Sequence, residues 1–215
     1  MNGQLIVVDN HALVQHWLIR LRDRDTTPGA FRETVRLLTF PLALAALADL
    51  ETTEIAVDTP LTLTTGRRIT VKVSLAAILR AALGMVETIQ YLLPEASVHH
   101  IDMHRDEATL QPVWGRSKLP LDCSGRVWLV PDPMLATGGS AMATVAKLKE
   151  CGAEDIRVVC VIAAPEGIAA LRAEYPDVRI FTAVVDKRLT TSTDQFPAGY
   201  IWPGLGDAGD RQFDT

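Results

Sequence analysis

Cysteine is scarce in this chain: Cys123, Cys151 and Cys160 are the only three in 215 residues. Their number is odd and no two stand in a Cys-x-x-Cys spacing. Neither a disulfide framework nor a zinc site follows, and thiols kept reduced in a cytoplasmic setting are expected. Long apolar runs are missing too. The longest near the start, residues 41–48, stops at Asp49, far short of the roughly 20 residues a membrane-spanning helix needs. The first nine residues lack the basic flank and apolar stretch of a secretory leader. Positive charge is also short: 21 Lys and Arg stand against 26 Asp and Glu, a net charge of −5. That balance argues against nucleic-acid binding, and it means that an anionic ligand would need locally placed arginines. The five histidines show no metal-ligand spacing, so no protein metal site is expected. There is no internal repeat and no low-complexity linker.

What is present is a core-forming chain. Apolar residues make up 48% and charged residues 22%, a balance that excludes wholesale disorder. Residues 13–22 place Leu13, Trp17, Leu18 and Leu21 near one helical face. A second helix is predicted from Thr27-Pro28, with proline in the first turn, through Phe31, Val35, Leu38 and Leu42. Pro41 lies inside that pattern and is expected to kink or divide it. From about residue 68 strands and helices alternate. Strands are predicted at 69–77, 98–103, 126–130, 156–163 and 178–185, and helices at 83–93, 141–150 and 167–174, with Gly152 closing the second of these. The order from Arg126 to Val185 is βαβαβ, which predicts an α/β fold with a parallel sheet flanked by helices and ligands bound along one strand-end edge. Residues 187–215 are rich in Gly, Pro, Asp and Thr and read as loop, too polar to be core.

The most informative segment runs from Val127 to Ser140. A buried strand is followed by Asp132-Pro133-Met134-Leu135-Ala136-Thr137-Gly138-Gly139-Ser140 and then a helix. Glycines there allow a tight turn and close backbone approach to a ligand. N–H groups of residues 137–140 would converge at a helix N-terminus, which favours a phosphate. The Thr137 and Ser140 hydroxyls can add bonds, and Asp132 at the strand end is placed to accept from ribose hydroxyls. No lysine follows the glycines, so this is not a Walker A loop. Read alone, the segment fits a strand–turn–helix joint with Ser140 as N-cap as well as a phosphate loop.

Residues 132–140, DPMLATGGS, resemble the 5-phosphoribosyl-1-pyrophosphate (PRPP) loop of uracil phosphoribosyltransferases. Other phosphoribosyltransferases mostly carry two acidic residues where this chain has Asp132-Pro133. The resemblance extends over most of the chain: to Ala163-Ala164-Pro165-Glu166-Gly167, to Gly199-Tyr200-Ile201 with residues 203–211, to Ile78-Leu79-Arg80-Ala81 with Leu83-Gly84-Met85, and to Met103-His104-Arg105-Asp106-Glu107. It implies a type I phosphoribosyltransferase domain spanning 1–215, with N-terminal helices at 1–50, an α/β core at 66–185 and a base-binding hood at 186–215. It implies that PRPP and uracil yield UMP and pyrophosphate. Arg80, Arg105 and Asp132 are then catalytic. PRPP is bound by Arg80, Arg105, Asp132, Pro133, Met134, Leu135, Ala136, Thr137, Gly138, Gly139, Ser140 and Asp207, and uracil by Ile201, Gly206, Asp207 and Ala208. The resemblance also implies Mg2+ carried by PRPP, GTP as an effector, a homo-oligomer, and no membrane or nucleic-acid partner.

The chain departs from the family pattern at several points. Ala82 follows Arg80-Ala81 where the family has glycine, which tests whether unusual backbone geometry is needed there. Residues 37–43 and 112–120 are altered, Trp202 replaces a small aliphatic residue, and the stretch between Leu189 and Gly199 is longer than usual. A different base, or a weakly active PRPP- or nucleotide-sensing homologue, are the alternatives these changes raise.

Overall fold

The computed structural model describes residues 4–105, 112–115 and 117–215, of which 104, 105, 112 and 113 are described by their backbone alone. In chain order the elements are β1 (Leu5–Val7), α1 (Ala12–Arg22), α2 (Pro28–Leu47), β2 (Thr52–Asp58), β3 (Leu63–Ile69), β4 (Lys72–Ile78), α3 (Leu83–Leu92), β5 (Ser97–Ile101), β6 (Met103–Arg105), β7 (Pro112–Trp114), β8 (Arg126–Pro131), β9 (Met134–Leu135), α4 (Gly139–Glu150), β10 (Asp155–Ala163), α5 (Pro165–Glu174), β11 (Arg179–Val185), β12 (Arg188–Leu189), β13 (Ile201–Trp202) and α6 (Ala208–Phe213). The central sheet has the order β1-β11-β10-β8-β4-β5, with β9 pairing onto β10. All of these pairings are parallel, so the expected α/β architecture is present.

The sheet is buried on both faces, as near-continuous apolar strands require. Alternation along β10 divides the core: Val159 and Val161 join α1, α2 and α3 on one face. Val158 and Cys160 join α4 and α5 on the other. Parallel strands with helical crossovers bring the C-terminal ends of β4, β5, β8, β10 and β11 to one edge, where the candidate site lies.

Several sequence expectations need correction. Pro41 does not divide α2, which runs unbroken from Pro28 to Leu47. A mid-helix proline costs about 3 kcal/mol. Against that, Phe31, Val35, Leu38 and Leu42 are wholly buried, each worth about 1.5–3 kcal/mol, and α2 packs on α1, α3, α6, β10 and β11. The strand expected at 69–77 is two strands broken at Thr70-Val71. β3 pairs antiparallel with β2 in a separate two-stranded ribbon, and β4 enters the main sheet. The strand expected at 98–103 likewise divides at Asp102 into β5 and β6. Helix α4 starts at Gly139 with Gly138 as its N-cap, so Ser140 is not the cap. Gly152, at φ +90, stands just past the end of α4. The greatest departure is the C-terminal tail. It contains β12, β13 and α6, and it buries Ile201, Leu205 and Ala208 in the main core.

Candidate active site

Three backbone features meet at the strand-end edge. The first is the turn after β8. Pro133 accepts from Val161 N (2.9 Å) and Ile162 N (3.0 Å), and Leu135 accepts from Ala164 N (2.9 Å), so the segment is laced onto the end of β10. Gly138 then adopts φ +84 and opens α4. A Cβ built on Gly138 would come 3.1 Å from Gly167 O, and one on Gly167 would come 2.2 Å from Ala136 O. The start of α5 is therefore pressed against the turn, and only glycine fits at 167. Asp132 and residues 134–141 line a shallow hollow of about 40 Å3. The free N–H groups at the start of α4 make it an electropositive cradle.

Asp132 caps this turn, its carboxylate accepting from Met134 N at 3.3 Å. Burial pushes its carboxyl up to about 7, the bond from Met134 N opposes that, and the negative charge of Asp207 adds to it. Asp132 and Asp207, 75 positions apart in sequence, thus face one another electrostatically. Asp207 also caps α6, accepting from Gly209 N (2.7 Å) and Asp210 N (3.0 Å).

The second feature is the turn after β4. Leu79 N donates to Ile101 O (2.9 Å) and Leu83 N to Arg80 O (3.1 Å). The Arg80 side chain, 56% exposed, rests on α6: it lies 3.9 Å from the Asp210 carboxylate, 3.3 Å from Thr215 Oγ1 and 5.6 Å from the Phe213 ring centre. Ala82 is buried with φ −68 and ψ −16. These are ordinary right-handed helical angles, so no glycine is required there. Arg105 ends β6 opposite Pro112. Asp106 and Glu107 of the family-like segment, and position 116 of the altered stretch 112–120, lie outside the described residues.

The third feature is the C-terminal hood. Ile201 is buried, and its carbonyl is covered by Gly204, where a Cβ would come within 2.1 Å. Gly206 has φ +80, and Ala208 is buried in the first turn of α6. Trp202 points outward instead, 5.1 Å from Lys187 Nζ and 5.2 Å from the Arg188 guanidinium. The hood is tied down by further contacts, and of the residues that make them Arg22 and Asp186 were not singled out in the sequence. Arg22 grips the buried Asp186 (2.9 Å) and Gly204 O (2.8 Å), and Glu166 accepts from Leu189 N at 3.0 Å. Arg22 and Asp186 are 164 positions apart, and no local pattern signals such a pair. A larger open groove, about 660 Å3, lies elsewhere, between Trp114, residues 119–121 and the outer face of α4. It shares no lining residue with the turns described above.

The family model described as uracil phosphoribosyltransferase matches residues 7–215. A Roseiflexus protein named uracil phosphoribosyltransferase is 50% identical over 210 residues, covering 98% of both chains. One from Streptococcus pneumoniae is 48% identical over 211 residues with the same coverage. One from Dictyoglomus thermophilum is 46% identical over 212 residues, covering 98% of this chain and all of its own. Among solved structures, an Aquifex aeolicus protein superposes with a TM-score of 0.89 at 32% identity, covering 98% of each chain. With a full-length family match and relatives close to half identical, this chain belongs to the uracil phosphoribosyltransferase family.

Proposed function

We propose that this chain transfers the 5-phosphoribosyl group of PRPP to uracil, giving UMP and pyrophosphate. The observation that carries the reading is the turn from Asp132 to Ser140. A carboxylate stands at its start, a left-handed Gly138 lies toward its end, and the open N-terminus of α4 closes it. In this reading residues Asp132 to Ser140 hold the ribose 5-phosphate end, with backbone N–H groups and the Thr137 and Ser140 hydroxyls on the phosphate. Asp132 accepts from ribose hydroxyls, and its charge supports the positive charge that builds on the sugar as the bond from C1 to pyrophosphate breaks. Arg80 and Arg105 receive the departing pyrophosphate, which leaves with the electron pair. A ring nitrogen of uracil forms the new bond to C1, and its proton passes to the departing pyrophosphate or to water. Ile201, Gly206, Asp207 and Ala208 meet the planar base edge, mostly through backbone, and Asp207 also faces PRPP.

Magnesium enters as part of the substrate, held mainly by pyrophosphate oxygens and water. The mutual repulsion of Asp132 and Asp207 suits a site that receives a cation along with its anion. The N-terminal helices, the sheet and the hood act as one domain, because α1 and α2 pack in the same core as Ile201 and Leu205. A homo-oligomer is part of the reading, supported by the β2–β3 ribbon outside the main sheet, which exposes Leu61 (95%) and Leu63 (69%). So is a cytoplasmic setting, which suits the buried free thiols of Cys123 and Cys160. The test is pyrophosphate release from PRPP and magnesium with a panel of bases, with and without GTP. Release is expected with uracil and not with cytosine or a purine. A preference for either of those would overturn the substrate assignment, and acceleration by GTP would establish the effector.

A further inference from the structure

Gln212 is fully buried on α6, yet it is polar. Its side-chain N–H groups donate to Ala81 O (2.9 Å) and to Ala208 O (3.0 Å). The first acceptor belongs to the turn that carries Arg80, and the second to the first turn of α6, within the hood. Its Oε1 has no hydrogen-bond partner among the described residues. An apolar side chain of similar size would avoid that desolvation cost, so the donors are what the glutamine adds at this place. The fold makes room for it: a Cβ on Gly84 would come 2.6 Å from Gln212 Oε1. Gly84 is the second residue of α3, in its first turn. The backbone carbonyl of Gln212 is itself held by Arg32 from α2.

We infer that Gln212 is a positioning residue that fixes the Arg80 turn to the C-terminal helix, so that the pyrophosphate-facing arginine and the base-binding hood are held as one body. The inference rests on the function proposed above. The Arg80 guanidinium lies against Asp210, Phe213 and Thr215 of the same C-terminal segment. Gln212 therefore holds the backbone of the turn while its neighbours hold the side chain. Losing the donor leaves the part-buried Ala81 O without its bond and frees the turn to move relative to α6.

The test has two arms. In the wild-type protein, amide hydrogen exchange is measured with and without PRPP and magnesium. Joint protection of residues 79–83 and 209–213 is expected. Protection confined to residues 132–140 overturns the coupling while leaving the PRPP reading intact, and no protection anywhere overturns both. In the second arm Gln212→Leu and Gln212→Met keep the volume and remove the donors. Each is expected to raise the PRPP KM roughly three- to tenfold, the scale of one lost hydrogen bond, with the uracil KM within about twofold and faster exchange at residues 79–83. Folded variants with an unchanged PRPP KM overturn the positioning role. So does an equal rise in both KM values, which is what mere loosening of the fold would give.

Discussion

Asp132 illustrates what a single residue contributes. A strand end before a glycine turn could be read from the order of residues, and the carboxylate is found there. Its raised pKa, about 7, could not, because it depends on burial and on Asp207. If the ionised form is needed to accept from ribose hydroxyls, kcat/KM for PRPP should rise with pH through about 7 and level off above it, since that quantity reports groups in the free enzyme. Asp132→Asn should remove this limb and lower turnover severely. Asp207→Asn should move the limb to lower pH, because a neighbouring negative charge is gone. The stability sign is opposite. A carboxyl whose folded pKa is raised supports the fold below its unfolded value near 4, and that support is lost as pH rises through about 7. Asp132→Asn should therefore melt no lower than wild type at pH 8. An unmoved pH profile in both variants, or a clear loss of thermal stability in Asp132→Asn, would remove this account.

At the scale of elements, the joint between α5 and the glycine turn after β8 leaves no room for a side chain. Helix propensity favours alanine over glycine by about 1 kcal/mol. At Gly167 the new Cβ would stand 2.2 Å from Ala136 O and 3.1 Å from Leu135 O, both backbone atoms that cannot rotate away. The clash should win. Gly167→Ala is expected to lose about 1–3 kcal/mol of stability and to weaken PRPP binding about tenfold or more as the turn shifts. Calorimetric titration with PRPP together with a thermal melt checks both, and wild-type affinity in this variant would show that the joint gives way harmlessly. Elements with a strong local signal, the apolar period of α1 and the near-continuous apolar run of β10, were legible almost to their ends. The broken strands were not. The breaks at Thr70-Val71 and Asp102 follow from which neighbours β3 and β6 pair with, and those neighbours are strands of separate two-stranded sheets.

The whole molecule is held at the opposite edge of the sheet by a charge network. Arg157, 2% exposed, binds Asp155 (2.6 Å), Asp49 (2.7 Å) and Ala46 O, and Arg179 binds the same two carboxylates. Burial alone would raise the carboxyls of Asp49 and Asp155. The bonds and charges of Arg157 and Arg179 outweigh it and hold both below the usual carboxylate range. The stability they add is present above about pH 4 and lost as pH falls through their lowered values. Arg157→Met should cost about 1–3 kcal/mol, because Ala46 O and both carboxylates lose a donor while Arg179 still holds the carboxylates, and should flatten the loss of stability as pH falls below about 4. Denaturant melts across that range decide it, and an unchanged acid profile would mean that the network is silent. The sequence by itself determined the α/β class, the βαβαβ run and the glycine turn after β8, because these rest on periodicities and turn chemistry within about ten residues. Only the tertiary structure decided that Pro41 stays inside a helix, that the polar tail folds into β12, β13 and α6, and that Arg22 meets Asp186 and Gln212 meets Ala81. Those outcomes depend on burial and hydrogen bonding between segments up to 164 positions apart, where the gain from packing exceeds the local preference and no local pattern records it.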